Sequence, residues 1–449
     1  MKWFGTDGIR GIFGEDLTPD IAFKLGVGVT RFWQQQGIDK PNIMIAKDPR
    51  LSSDALEASL ISGILTAGGN TISLGILPTP GLALLASLDK NVHGAVMISA
   101  SHNPIEYNGL KVFNGKGEKL DSSAEAIIEK YMEENIASSW HKVGKNILYP
   151  EANKVYIDTL FDRIGNIYLN EDFVVVDTAH GATCNAAVYA LQKGGARVTA
   201  LFGYPDGWWI NKSCGATHPE VISKEVVHLG ASYGFTFDGD GDRVFMVIGD
   251  GTILTGDHLL AILAYYLKEK KLLGDYVVST IMANLGLENY LSTLGIKLVR
   301  TSVGDKYVYD EMKKIGAVLG GESSGHIILM PINNTGDGIG IMLFILHAIF
   351  NDGFDIREVI DKFILYPSEM YNLKTRYKNE LASHPKVREI VHKYTTQYER
   401  EARIIVRPSG TEHVLRISVE AQNRKLVVKL LETIVKEIED VEKTLRGNT

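Results

Sequence analysis

Cysteine is almost missing from this chain: among 449 residues there are only Cys184 and Cys214. A disulfide scaffold is excluded, and a reducing cytoplasm is the expected compartment. An excess of positive charge is missing too. Lys and Arg number 47 against 54 Asp and Glu, a formal net charge of −7, which excludes a general nucleic-acid binder that displaces counterions with a basic surface. A local cluster of arginines and lysines still binds an anion on such a protein. Long apolar runs are absent as well. The longest, Ile339 to Phe350, is interrupted by Gly340 and His347, is too short to span a bilayer and reads as a buried helix. The start, Met1-Lys2-Trp3-Phe4-Gly5, lacks the apolar stretch of a secretory signal. A soluble intracellular chain with no membrane partner is expected.

What is present is the composition of a large globular enzyme, 45% hydrophobic and 22% charged. At roughly 150 residues per domain the length asks for three or four units. Three stretches repeat one plan of apolar strand, amphipathic helix, glycine stop and second strand. They are Asn42 to Ala46 with Thr71 to Leu74, Phe173 to Val176 with Arg197 to Thr199, and Tyr276 to Val278 with Lys297 to Val299. The stops are Gly68-Gly69, Gly194-Gly195 and Gly295, where a left-handed residue ends a helix. Continuous Val/Ile runs followed by helices mark strands covered on both faces. The tail differs: strands Ala402 to Val406 and Leu415 to Val419 flank a loop, and one helix runs from Leu426 to Thr444. The expected fold class is α/β, with three similar mixed α/β domains and a smaller C-terminal α+β domain. The expected boundaries give 1–148, 149–250, 251–366 and 367–449, with Lys142 to Glu151 as the first linker. The pair Trp208-Trp209 is expected in the core.

Four motifs carry chemistry. Ser99-Ala100-Ser101-His102-Asn103-Pro104 follows a buried run, placing a serine at the carboxyl edge of a strand, where open α/β sheets present ligands. On an extended chain Ser101 and His102 point to opposite faces, so a Ser–His dyad is not expected. A phosphoserine is a phosphoryl donor instead, and its dianion needs a cation nearby. Phe237-Asp238-Gly239-Asp240-Gly241-Asp242-Arg243 supplies three hard oxygen ligands on a loop that glycines let curl. An EF-hand is excluded, because its sixth and twelfth positions, glycine and glutamate, are here Arg243 and Gly249. Arg243 suits a phosphate that the metal also touches. Gly320-Gly321-Glu322-Ser323-Ser324-Gly325-His326 offers hydrogen-bonding side chains for sugar hydroxyls. Arg407-Pro408-Ser409-Gly410-Thr411-Glu412, with Arg416 beyond it, makes an anion nest for a phosphate monoester.

Together with Phe4-Gly5-Thr6-Asp7-Gly8-Ile9-Arg10-Gly11 and Cys214 to Glu220, these motifs resemble the α-D-phosphohexomutase superfamily over the whole chain, and most of all its bacterial phosphoglucosamine mutase family. The resemblance implies four domains around a central cleft, each giving one loop. It implies Ser101 as the phosphoserine, one Mg²⁺ on Asp238, Asp240, Asp242 and the Ser101 oxygen, and Arg10, Lys111, His102 and Arg243 as catalytic residues. Glu322, Ser324 and His326 would read the sugar, and Arg407, Ser409, Gly410, Thr411 and Arg416 the distal phosphate. Lys111 is the first choice of base, ahead of His326 and Arg10. The implied reaction interconverts glucosamine 6-phosphate and glucosamine 1-phosphate through glucosamine 1,6-bisphosphate, for cell-wall precursor synthesis, in a cytoplasmic homodimer. A phosphoglucomutase or phosphomannomutase is the alternative. His413 and Ser323 depart from the family pattern without removing a catalytic group.

Overall fold

The computed structural model describes residues 2–5, 7–134, 139–409 and 413–447. Two compact units form: Met1–Met282 with Val299–Ile356, and Ala283–Leu298 with Arg357–Thr449.

The first unit begins with a six-stranded sheet of β1 (Ile9–Ile12), β2 (Asn42–Lys47), β3 (Asn70–Ile76), β4 (Val92–Ile98), β5 (Tyr107–Asn114) and β6 (Asn146–Leu148). Their order is β1-β5-β4-β2-β3-β6. Strands β4, β2, β3 and β6 run parallel, and β5 and β1 add an antiparallel edge. Helices Pro19–Gln35 and Ser53–Thr66 supply Leu25, Val29, Phe32, Leu56 and Leu60 to the core on one face of this sheet. Strand β6 lies inside the stretch expected as a linker. All three of its residues are exposed, so no apolar alternation announces it.

A second sheet holds β7 (Phe173–Asp177), β8 (Arg197–Leu201), β9 (Tyr233–Phe237), β10 (Val244–Ile248) and β11 (Ile253–Leu254), in the order β11-β10-β9-β7-β8. A third holds β12 (Tyr276–Thr280), β13 (Lys297–Thr301), β14 (Leu319–Gly321) and β15 (Ile327–Leu329), in the order β13-β12-β14-β15. The glycine stops behave as expected, with φ of +94° at Gly68, +84° at Gly195 and +71° at Gly295. Helix Gly338–Phe350 carries the longest apolar run and buries Ile339, Ile341, Leu343, Ile345 and Leu346, each worth about 1.5–3 kcal/mol of transfer free energy.

The second unit carries the expected α+β tail. Strands β16 (Ser368–Lys374), β17 (Ala402–Pro408) and β18 (Val414–Ala421) form an antiparallel sheet in the order β16-β18-β17, and one helix spans Arg424–Gly447. That helix packs Leu430, Ile434 and Ile438 against Ile404, Ile417 and Val419. The expectation for Trp208-Trp209 is corrected: their exposures are 63% and 50%. A tight turn at Asp206 turns both indoles outward, and the Lys212 ammonium lies 4.4 Å from the Trp209 ring. No helix among the described residues is long and apolar enough to cross a membrane.

Candidate active site

Ser101 stands just beyond the carboxyl end of β4, and Asp238 just beyond that of β9. Their loops meet. The Ser101 hydroxyl donates to Asp238 Oδ2 at 2.5 Å, in a site where both side chains are buried. Ligand oxygens of Asp238, Asp240 and Asp242 all lie within 4.8 Å of one another. Such an approach is possible because residue 239 is glycine. A Cβ there would sit 2.7 Å from the Ser101 carbonyl oxygen and 2.8 Å from Asn211 Nδ2.

Ser101 has φ of +53°, a left-handed conformation that costs a non-glycine residue about 1–3 kcal/mol. The turn overturns the sequence reading of its neighbour. The chain is not extended here, and His102 Nδ1 lies 3.2 Å from the Ser101 Oγ. Burial, and then the positive charge of Arg243, lower the His102 imidazole to about 4, so it is neutral at neutral pH.

Charge at the carboxylates is arranged unevenly. Burial, followed by the negative charges of Asp242 and Asp240, pushes the Asp238 carboxyl well up. Burial acts on Asp240 in the same sense, but the Lys111 charge and hydrogen bonds from Lys111 (2.9 Å) and Thr79 Oγ1 (2.6 Å) overcome it and hold Asp240 below the usual range. Lys111 also lies 3.5 Å from Asp242 and 3.5 Å from Asp7. Burial opposes its charge, yet Asp240, Asp7 and Asp242 raise it well above the ordinary lysine range. An ammonium so held is a poor proton acceptor.

Two oxygens of this cluster, Asp240 Oδ1 and Asp242 Oδ1, are buried without a hydrogen-bond partner among the described residues. Buried carboxylate oxygens left this way are costly unless a cation meets them. The donor set is all hard oxygen, which fits Mg²⁺ and does not fit a metal that wants thiolate or imidazole. Arg10 Nε and Arg243 Nε are buried donors, likewise unpartnered among the described residues, and they suit an anion.

The loop after β14 is joined to the aspartate loop by backbone. The Val244 amide donates to the Gly325 carbonyl at 3.0 Å, and Arg243 and His326 form an antiparallel bridge. Glu322 accepts from the Gly304 amide at 3.2 Å and from Ser324 Oγ at 3.2 Å. His326 is buried, with Nε2 3.5 Å from Asp305 Oδ2. From Asp305 a chain of charges continues through Lys119 (2.6 Å) to Asp7 (2.5 Å) and Arg10 (2.5 Å). Thr79, Lys119 and Asp305 were not singled out from sequence. Each stands alone in its stretch, and only the folding of distant strands brings it to the cluster. Asp7 lies in the stretch Phe4 to Gly11, where no spacing rule marks it.

In the second unit Arg407 and Arg416 are cross-strand partners on β17 and β18. Like charges directly opposite destabilise a sheet unless an anion lies between them. Ser409 is buried, its amide donating to the Val414 carbonyl at 3.0 Å and its carbonyl accepting from Lys378 Nζ at 2.5 Å. Gly410 and Thr411 lie outside the described residues.

Residues 1–138 match the family described as phosphoglucomutase/phosphomannomutase, alpha/beta/alpha domain I, residues 255–366 its alpha/beta/alpha domain III, and residues 370–437 its C-terminal domain. A phosphoglucosamine mutase of Thermotoga maritima is 40% identical over 440 residues, covering 98% of this chain and 99% of the relative. That of Carboxydothermus hydrogenoformans is 38% identical over 450 residues, covering 98% and 99%. Among solved structures, a phosphoglucomutase/phosphomannomutase family protein of Burkholderia thailandensis aligns with a TM-score of 0.82 at 21% identity, over 97% of this chain and 96% of that one. An N-acetylphosphoglucosamine mutase of Aspergillus fumigatus, solved with GlcNAc-6P and magnesium, gives 0.65 at 16% identity over 98% and 95%. These two structures share the fold. With its motifs, its carboxylate cluster and near-full-length relatives pointing the same way, the chain belongs to the α-D-phosphohexomutase superfamily, in its phosphoglucosamine mutase family.

Proposed function

We propose that the chain interconverts glucosamine 6-phosphate and glucosamine 1-phosphate through a phosphorylated Ser101 and a glucosamine 1,6-bisphosphate intermediate. The observation that carries this reading is the Ser101 hydroxyl, buried 2.5 Å from one of three clustered aspartates. In the forward step the free sugar hydroxyl attacks phosphorus, the bond to Ser101 Oγ breaks, and the hydroxyl proton leaves. The bisphosphate turns around, and its other phosphate returns to Ser101.

Phosphate monoesters are inert in water, so positioning and charge must lower the barrier by on the order of 20 kcal/mol. Asp238, Asp240 and Asp242 would hold Mg²⁺, which when bound neutralises the oxygens of a phosphoryl group in transfer. Arg243 and Arg10 offer buried N–H groups to the same oxygens. Lys111 acts as a fixed positive charge. Among the three candidates for the proton, Lys111 is held by carboxylates and Arg10 is always charged, which leaves His326, whose Nε2 lies 3.5 Å from Asp305 Oδ2. Glu322 and Ser324 meet the sugar hydroxyls. Arg407, Ser409, Gly410, Thr411 and Arg416 grip the distal phosphate. A cytoplasmic homodimer of four-domain chains, divided near residues 148, 250 and 366, belongs to the same reading. The relatives' names favour glucosamine over the phosphoglucomutase or phosphomannomutase alternative.

The test is Ser101→Ala beside the parent enzyme. Turnover of glucosamine 1-phosphate is expected to fall at least about 1000-fold. The mass of one phosphoryl group, present on the Ser101 peptide of the parent, should be missing from the variant. Full turnover by Ser101→Ala would sink the proposal.

A further inference from the structure

Just past the carboxyl end of β2 lie Asp48 and Arg50, whose side chains are fully buried. Arg50 spends all five of its N–H groups in one place. Nε donates to Asp48 Oδ2 at 3.0 Å. Nη2 donates to the carbonyls of Ser101 at 2.9 Å and Asn103 at 2.8 Å. Nη1 donates to the carbonyls of Tyr107 at 2.9 Å and of Pro104. Four backbone oxygens, three on the loop bearing Ser101 and one at the start of β5, thus share one guanidinium. Its planar fork meets them in directions that an ammonium cannot reproduce.

The other side of Ser101 returns to the same carboxylate. Its amide donates to Ser99 Oγ at 2.8 Å, and Ser99 Oγ donates to Asp48 Oδ2 at 2.7 Å. Asp48 Oδ1 accepts from the Arg50 amide at 3.1 Å and from Ser53 Oγ at 3.2 Å. From the second sheet's loops, Asn211 Nδ2 adds a donor to the Ser101 carbonyl at 2.8 Å. Both polar backbone groups of Ser101 are therefore tied to Asp48, one through Ser99 and one through Arg50. An arginine kept only as a core staple has no reason to gather carbonyls from one loop whose central residue holds φ of +53°.

We propose that Asp48 and Arg50 are positioning residues, which hold Ser101 in its left-handed turn and so aim its oxygen for phosphoryl transfer. This rests on the reading of Ser101 as the residue that carries the phosphoryl group. Substrate binding does not depend on the clamp, whereas the transfer step does.

The experiment compares Arg50→Lys and Arg50→Ala with the parent and with Ser101→Ala, using full-length protein saturated with Mg²⁺ and glucosamine 1-phosphate as substrate. Folding is followed by circular dichroism. Arg50→Lys is expected to lose roughly 100-fold in kcat, the scale of a 1 Å misplacement, with KM changed less than about threefold. Millimolar guanidinium should restore about tenfold of the kcat of Arg50→Ala, and ammonium at equal ionic strength should not. Arg50→Lys with parental kcat, beside an inactive Ser101→Ala, overturns the clamp and leaves the phosphoserine reading standing. An active Ser101→Ala overturns that reading itself. If neither Arg50 variant folds, Asn211→Ala decides, since it removes the bonds to the Ser101 and Asn103 carbonyls and leaves Asp48 and Arg50 in place. A kcat loss of about tenfold at constant KM supports the clamp, and unchanged kcat overturns it.

Discussion

Asp240 shows how much one side chain carries in this site. One oxygen meets Lys111 and Thr79, and the other is buried with no partner among the described residues. Asp240→Asn keeps the shape but removes the charge that both a cation and Lys111 require. Its kcat is expected to fall at least about 100-fold. Added Mg²⁺ should raise the melting temperature of the parent and leave that of the variant nearly unmoved, as measured by thermal scans with and without the ion. At this scale the sequence was informative wherever the chemistry is contiguous: Ser101 and the three aspartates stand in short linear motifs. It was silent on Arg50 and Asn211, which act through carbonyls about fifty or a hundred positions away, and on Asp48, which acts through Arg50 and the Ser99 hydroxyl. It misled at His102 because period-two alternation assumes extended backbone, and Ser101 is not extended.

Among the elements, helix Gly256–Glu269 carries a titratable start. The Thr255 amide donates to His258 Nδ1 at 3.2 Å, so the ring must be neutral to accept. Burial lowers His258 to about 4, against 6.5 ordinarily. Between those values the unfolded chain takes up a proton that the folded chain declines, so stability present above pH 6.5 is lost as the pH falls toward 4. His258→Gln keeps an acceptor at the same place in the first turn without the titration. From pH 7 to pH 4.5 its melting temperature is expected to fall less than the parent's, by a few degrees. Strands such as β7 were legible because buried Val runs have few other uses. Strand β6 was not, since an exposed edge strand is held by backbone pairing and by the Thr71 and Ser73 hydroxyls on Asn146, and buries no apolar side chain. Trp208 and Trp209 failed for the opposite reason: bulk predicts burial on average, but a turn fixed at Asp206 decides the individual case.

For the molecule as a whole, scarcity of reactive thiols becomes a measurable property. Burial pushes Cys184 up to about 11 and Cys214 up to about 12, leaving little thiolate at any physiological pH. Native protein held with iodoacetamide at pH 8 should keep its activity and its mass, and should gain two adducts only after denaturation. The division into compact units was less legible. Residues Ala283–Leu298 group with the C-terminal stretch rather than with the residues on either side of them, and no linear pattern marks such a detour. Gly239 brings a different consequence. With the Ser101 carbonyl oxygen 2.7 Å from where a Cβ would sit, a saturation library of this gene should return survivors at many surface codons and a single permitted amino acid at codon 239. The two loops can then drift over evolutionary time only as a matched pair.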